Sequence, residues 1–227
     1  ESWAYLQRWS VDLLLKLSGG VLYTLYTTVY LPVWFRMLGA KIGRRAEVST
    51  VIQIIPDLVE IGDESFFADG AIVGGRRLFR GHFQIGRNRI GRRTFVGNSA
   101  ILPVGASLGD DCLLGVLSAP PGTVGCETPD HTEWLGSPPF RLPHRKIVGG
   151  FDPSTTYRPT LRLYVLRCMI DAVRVLLPYY VGAFALVVYA LSVFAALIYL
   201  PVWAVFALCP LMATALMLAA SLYVVSI

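Results

Sequence analysis

From Ile42 to Leu114 an apolar residue returns every six positions: Ile42, Val48, Ile54, then Ile61, Phe67, Val73, Phe79, Ile85, then Ile90, Val96, Leu102, Leu108 and Leu114. Two frame slips divide these thirteen hexads. A smaller residue stands four places after many anchors, as at Ala46, Ser65, Ala71, Thr94, Ala100, Ala106 and Cys112. Glycine directly follows Ile42, Ile61, Val73, Ile90, Val96 and Leu108. A period of six fits neither a 3.6-residue helix nor an alternating hairpin sheet. It predicts a parallel β-helix in which anchor and small residue point inward and glycine takes the corner. Three hexads make one triangular coil, so thirteen make about four coils.

Charge confines this region to the middle of the chain. Eighteen of the 20 Lys and Arg residues lie between Arg36 and Arg174, and Val175 to Ile227 contains no Asp, Glu, Lys or Arg. With an apolar content of 55%, well above the globular norm, a charged module between membrane segments is predicted. The domains expected are an N-terminal membrane or interfacial helix over 1–37, the repeat domain over 38–122, an extended linker over 123–159, a basic amphipathic interfacial helix over 160–178, and transmembrane helices over 179–227, the second cut short.

Within these, Leu17 to Phe35 is uncharged and about long enough to cross a bilayer. Pro178 is expected to end the amphipathic helix, Val181 to Leu208 to span, and Cys209-Pro210 to precede the next span. Tyr30-Leu-Pro-Val-Trp34 recurs as Tyr199-Leu-Pro-Val-Trp203, which suggests duplication of a span-plus-module unit. The missing initial Met and the apolar end predict a piece of a longer protein. Arg36, Lys41, Arg44 and Arg45, with Arg158, Arg162, Arg167 and Arg174, outnumber Arg8 and Lys16 across the first span, which predicts a cytoplasmic module in the plasma membrane.

Function should reside where the hexads are irregular. The richest irregularity, Gly74 to Arg93, holds Arg76, Arg77, Arg80, Arg87 and Arg89 around His82. His82 lies outward on the hexad frame and suits a general base near neutral pH. Asp69 and Asn98 are outward candidates to orient reacting groups. The arginines suit a phosphopantetheine phosphate, an acidic carrier surface or anionic lipid. A solvated basic face and a surface histidine are the plain alternatives. His131 and His144 rank second. Cys112, Cys126, Cys168 and Cys209 lack metal-like spacing, so they read as packing residues and no metal is expected. The basic stretch lacks interleaved soluble aromatics, which argues against nucleic acid. No phosphate loop, dinucleotide fingerprint or nucleophile elbow fits.

Two resemblances rest on longer stretches. Ile90-Gly-Arg-Arg-Thr-Phe-Val-Gly-Asn-Ser-Ala-Ile-Leu-Pro103 and Ala106-Ser-Leu-Gly-Asp110 resemble the repeats of left-handed β-helix acyltransferases. The run Leu31-Pro-Val-Trp-Phe-Arg-Met-Leu-Gly-Ala-Lys-Ile-Gly43, with Ala46-Glu-Val-Ser-Thr50, Val116-Leu-Ser-Ala-Pro-Pro121, Trp134-Leu-Gly-Ser-Pro-Pro139 and Tyr157-Arg-Pro159, is similar to the membrane-bound C-terminal region of poly-ε-lysine synthetase-type nonribosomal peptide synthetases.

The resemblance implies a left-handed parallel β-helix flanked by transmembrane helices. It also implies a condensation module that joins a carrier-bound aminoacyl thioester to an amine, with the phosphopantetheine on a separate carrier domain. Adenylation and carrier domains of the same parent protein, sister modules forming a pseudo-trimer, and membrane lipid are the partners implied. An acyl-CoA-dependent acyltransferase and a non-catalytic scaffold completing the pseudo-trimer are the alternatives.

Overall fold

The computed structural model describes residues 3–75, 77–143 and 158–226. They form two compact units, Glu1–Asp171 and Ala172–Ile227.

The first unit is built on strands of two or three residues, too short to hold register alone. Their parallel partners lie 18 to 29 residues away, as in Ser107↔Arg89 and Glu60↔Arg89, so the chain visits three sheets in turn. The first sheet orders Lys41–Ile42, Val59–Ile61, Asn88–Ile90, Ser107–Leu108 and Glu127–Thr128. The second orders Glu47–Val48, Phe66–Phe67, Phe95–Val96, Leu113–Leu114, Glu133–Leu135 and Phe140–Arg141. The third holds Val51–Gln53, Ala71–Val73 and Ile101–Leu102. The last strands of the first two sheets thus come from the stretch expected to be an extended linker.

The expected left-handed parallel β-helix of about four coils is corrected by this layout. The sheets are mixed. Arg77–Phe79 pairs antiparallel with His82–Gln84 as a separate two-stranded hairpin, and Phe140–Arg141 turns back antiparallel on Glu133–Leu135. The anchors Phe79 (59% exposed) and Ile85 (40%) therefore lie outside the core that the regular frame assigned them to. A six-residue period reports which side chains face inward, but it does not exclude a local antiparallel excursion whose strands satisfy each other's hydrogen bonds.

Burial elsewhere follows the anchors. Val48, Phe67, Val73, Val96, Leu102 and Leu114 are buried in one cluster with the small residues Ala46, Ala71, Ala100 and Ala106. The excursion re-enters this core at Asn88, which is fully buried. Its Nδ2 donates to the Pro103 carbonyl at 2.7 Å and to that of Ala106 at 3.4 Å, which satisfies a polar group that would be costly to bury unpaired.

The N-terminal part of this unit is helical but broken. Helix α1 spans Trp3–Val21, a short 3-10 turn covers Leu22–Leu25, and α2 spans Leu31–Met37. The uncharged Leu17 to Phe35 stretch is thus no single spanning helix. Thr27 takes a left-handed φ of 61° and donates its N–H to the Ser49 carbonyl at 2.9 Å, while Leu31 and Phe35 are buried in the core cluster.

Helix α3 runs from Leu161 to Tyr199 and α4 from Val202 to Ser226. Pro178 and Pro210 lie inside these helices, and the break falls at Leu200–Pro201. A proline removes one backbone donor, which either kinks or ends a helix; here only Pro201 marks an end. Both helices are long and apolar enough to cross a membrane. At ~1.5 Å per residue the 39 residues of α3 reach about 58 Å, well beyond the ~30 Å hydrocarbon core.

The charged beginning of α3 belongs to the first unit and is fastened there. Arg167 makes a bidentate pair with Glu47 at 2.7 and 3.1 Å. Asp171, only 6% exposed, accepts the Val29 N–H at 2.9 Å, and the Tyr30 hydroxyl donates to the Cys168 carbonyl at 2.7 Å.

Candidate functional site

His82 opens the second strand of the hairpin, opposite Phe79. Arg80 and Gly81 form its turn with φ of 48° and 77°, the left-handed pair that matches the twist of tight hairpins. His82 is exposed, and among the described residues its imidazole has no hydrogen-bond or ion-pair partner. Arg77 and Arg80 place their guanidinium carbons 5.9 and 5.1 Å from the Phe79 ring centre, within cation–π range. Phe83 meets Tyr5 of α1 edge-on at 5.8 Å. Arg76, His144 and Tyr157 lie outside the described residues.

Asp69 and Asn98 come together, but not with His82. The Asn98 side-chain oxygen accepts the Asp69 N–H at 3.1 Å. Asp69 Oδ1 accepts the hydroxyls of Ser49 and of Thr50, the latter at 3.2 Å. The same kind of bond joins other stacked turns, where Asp63, Asp110 and Asp130 accept the N–H groups of Arg44, Arg92 and Asp110 at 2.7–2.8 Å. A turn-bracing role is therefore built into Asp69 and Asn98. Asp69 Oδ2 and Asn98 Nδ2 take no part in it.

Arg87 and Arg89 separate from Arg77 and Arg80. They converge with Lys41 on Glu60, at 3.6, 3.0 and 2.8 Å respectively. Hydrogen bonds from Lys41 and then Arg89 hold the Glu60 carboxyl below the usual range. A shallow groove of about 500 Å³ runs along Lys41, Glu60 and Arg89, bordered by Gly43, Gly62, Gly91, Arg92 and Asp110. Along it the three cations Lys41, Arg89 and Arg92 face the two carboxylates Glu60 and Asp110, which leaves a cationic excess suited to phosphate or carboxylate.

Sequence reasoning used Lys41 only for membrane orientation, counted Arg92 only as part of the arginine-rich stretch, and gave Glu60 no role. A signal was present, because Lys41, Glu60 and Arg89 each directly precede an anchor, and residues beside an inward anchor face outward in a strand.

A neighbouring column of turns carries alternating charge. Arg45, Glu64, Arg93, Asp111 and His131 all take left-handed φ between 52° and 60°. Glu64, its side chain 9% exposed, pairs with Arg93 at 2.9 Å, Arg45 at 3.0 Å and Arg158 at 3.6 Å. His131 Nδ1 lies 3.9 Å from Asp111 Oδ2.

The hydrogen bond from Arg93, ahead of that from Arg45, holds Glu64 below its ordinary pKa. A depressed carboxylate stabilises the fold fully above its unfolded pKa of about 4.3, and that contribution disappears as pH falls through the lower folded value. The stability gap between the native chain and Glu64→Gln is therefore expected to be constant from neutral pH to about pH 5 and to shrink below about pH 4. Denaturation at these pH values measures it, and a gap unchanged in acid would remove Glu64 from this role.

No protein-family model matches the chain. It is similar to delta-poly-L-ornithine synthetase of Acinetobacter baumannii strain AB307-0294, with 37% identity over 174 residues. The aligned part is 77% of this chain but 13% of that protein, so the chain corresponds to a small segment of its relative. The similarity relates the chain to a poly-amino-acid synthetase.

Proposed function

We propose that the chain is a membrane-bound condensation module of a nonribosomal poly-amino-acid synthetase, working on the cytoplasmic side that its flanking arginines favour. The identity with a segment of a poly-ornithine synthetase carries this reading. The cationic groove supports it, because Lys41, Arg89 and Arg92 offer the donor set that a carrier's phosphopantetheine phosphate needs. That carried group would supply the aminoacyl thioester.

His82 then takes the proton of the acceptor amine as its nitrogen bonds to the thioester carbonyl. The C–S bond breaks, and the proton passes to the departing thiol. Asp69 Oδ2 and Asn98 Nδ2 orient the acceptor. In the complete parent protein His82→Ala should lower polymer formation at least about 100-fold, measured with the parent's own loaded carrier. Unchanged yield would reject His82 as the base.

A second reading moves the base to His131, favoured by Asp111 at 3.9 Å. Loss of product in His131→Ala with retention in His82→Ala would select it.

A further inference from the structure

Apart from His82, the condensation reading leaves the side chains of the hairpin Arg77–Gln84 unused. Its two strands pair only with each other, and an isolated two-stranded hairpin is marginal in water. Leu78 and Phe79 are each 59% exposed at its turn end, and Ile85, just past its second strand, is 40% exposed. Arg77 and Arg80 stand over the Phe79 ring. No Asp or Glu occurs between Asp69 and Asp110, a stretch with seven arginines. Glu60 offsets Arg87 and Arg89; no ion pair among the described residues offsets Arg77 or Arg80.

We infer that this hairpin docks on an anionic lipid surface, with Leu78 and Phe79 among the acyl-chain ends of the headgroups and Arg77 and Arg80 on lipid phosphates. Exposed apolar side chains interleaved with arginine suit the boundary between headgroup and acyl chain, where the stem of Arg stays in apolar contact while its head reaches phosphate.

Helix α1 extends the same surface. Tyr5 joins it to Phe83, and Trp3, Leu6, Trp9, Leu13, Leu14 and Leu17 are exposed along one side of the helix, spaced for an apolar stripe. Trp is the side chain most at home at the headgroup level. The two candidate spans of the same chain would hold it at a bilayer. Charge chooses among the lipids: a cationic rim with no carboxylate gains most on an anionic leaflet.

The test replaces Phe79 by the photoreactive benzoylphenylalanine in the full chain. The protein is placed in nanodiscs of phosphatidylcholine alone or mixed with phosphatidylglycerol, and illuminated adducts are read by mass spectrometry. A lipid adduct is expected, enriched with phosphatidylglycerol and reduced at least about threefold by Arg77→Gln with Arg80→Gln. Equal thermal unfolding of that variant shows that its fold is intact. Absence of a lipid adduct, or a yield indifferent to both changes, would overturn the inference. None of these readouts uses polymer formation, so they stand apart from the assignment of His82.

Discussion

Gly97→Ala is expected to lower stability by about 3 kcal/mol or more, although it adds a single methyl group. Gly97 follows the fully buried Val96, donates its N–H to the Leu114 carbonyl at 2.8 Å, and has a φ outside the left-handed region. Alanine is therefore conformationally acceptable there, and only space forbids it. A Cβ would lie 2.6 Å from the Gly115 carbonyl carbon and 2.7 Å from the Val116 nitrogen. Those are backbone atoms, so no side chain can swing aside, and the stacked turns must separate. For a unit of this size the melting temperature should fall by about 6–12 °C. Gly20→Ala is the contrast: in α1 its Cβ would meet nothing within 4 Å, and alanine should stabilise the helix by up to about 1 kcal/mol. Thermal unfolding of both in the same lipid or detergent measures the difference. An unshifted Gly97→Ala melt would mean that the turns are not so closely stacked.

Phe67→Ala should cost about 3–5 kcal/mol. Among the described residues Phe67 is the largest fully buried side chain, at 0% exposure, and it lies between Val48 and Val96 in the second sheet. Its ring reaches into the shared core cluster, so truncation loses both the burial of the removed atoms and the contacts around the cavity left behind. Phe79 is its equivalent in the six-residue frame, yet it is 59% exposed. Phe79→Ala should therefore change stability by no more than about 0.5 kcal/mol in detergent. Equal losses at the two positions would restore Phe79 to the core and contradict the hairpin.

That pair of residues shows where the pattern was legible and where it stopped. Periodicity identified the inward side chains well, from Val48 to Leu114, and it placed Cys112 among them at 1% exposure. It failed at Phe79 and Ile85 because an apolar residue in register with its neighbours carries no mark of whether its strand pairs in parallel or folds back on itself. A local signal was present, because Arg80-Gly81 can form a tight hairpin turn.

The candidate site was legible in residue type and only partly in position. The arginines read as one cluster from sequence divide in space between Phe79 and Glu60. Asp69 and Asn98 were expected to orient reacting groups, and in the structure they brace stacked turns with Ser49 and Thr50. His131 meets Asp111, 20 residues away in sequence, and a pairing across stacked turns has no local signal. Asp171 likewise looked like one charge on an amphipathic helix; its buried acceptor role depends on Val29, 142 residues earlier.

The sequence by itself determined the inward side chains, the glycine corners and the uncharged end from Val175 onward. These depend on side-chain size and on the cost of burying charge, which are properties of each residue and its near neighbours. Only the tertiary structure decided that the sheets are mixed, that Leu17 to Phe35 breaks into pieces, and that Lys41, Arg87 and Arg89 share one carboxylate. Such outcomes depend on which distant backbone groups and charges become neighbours, and strands of two or three residues obtain that register from the turns stacked on either side of them.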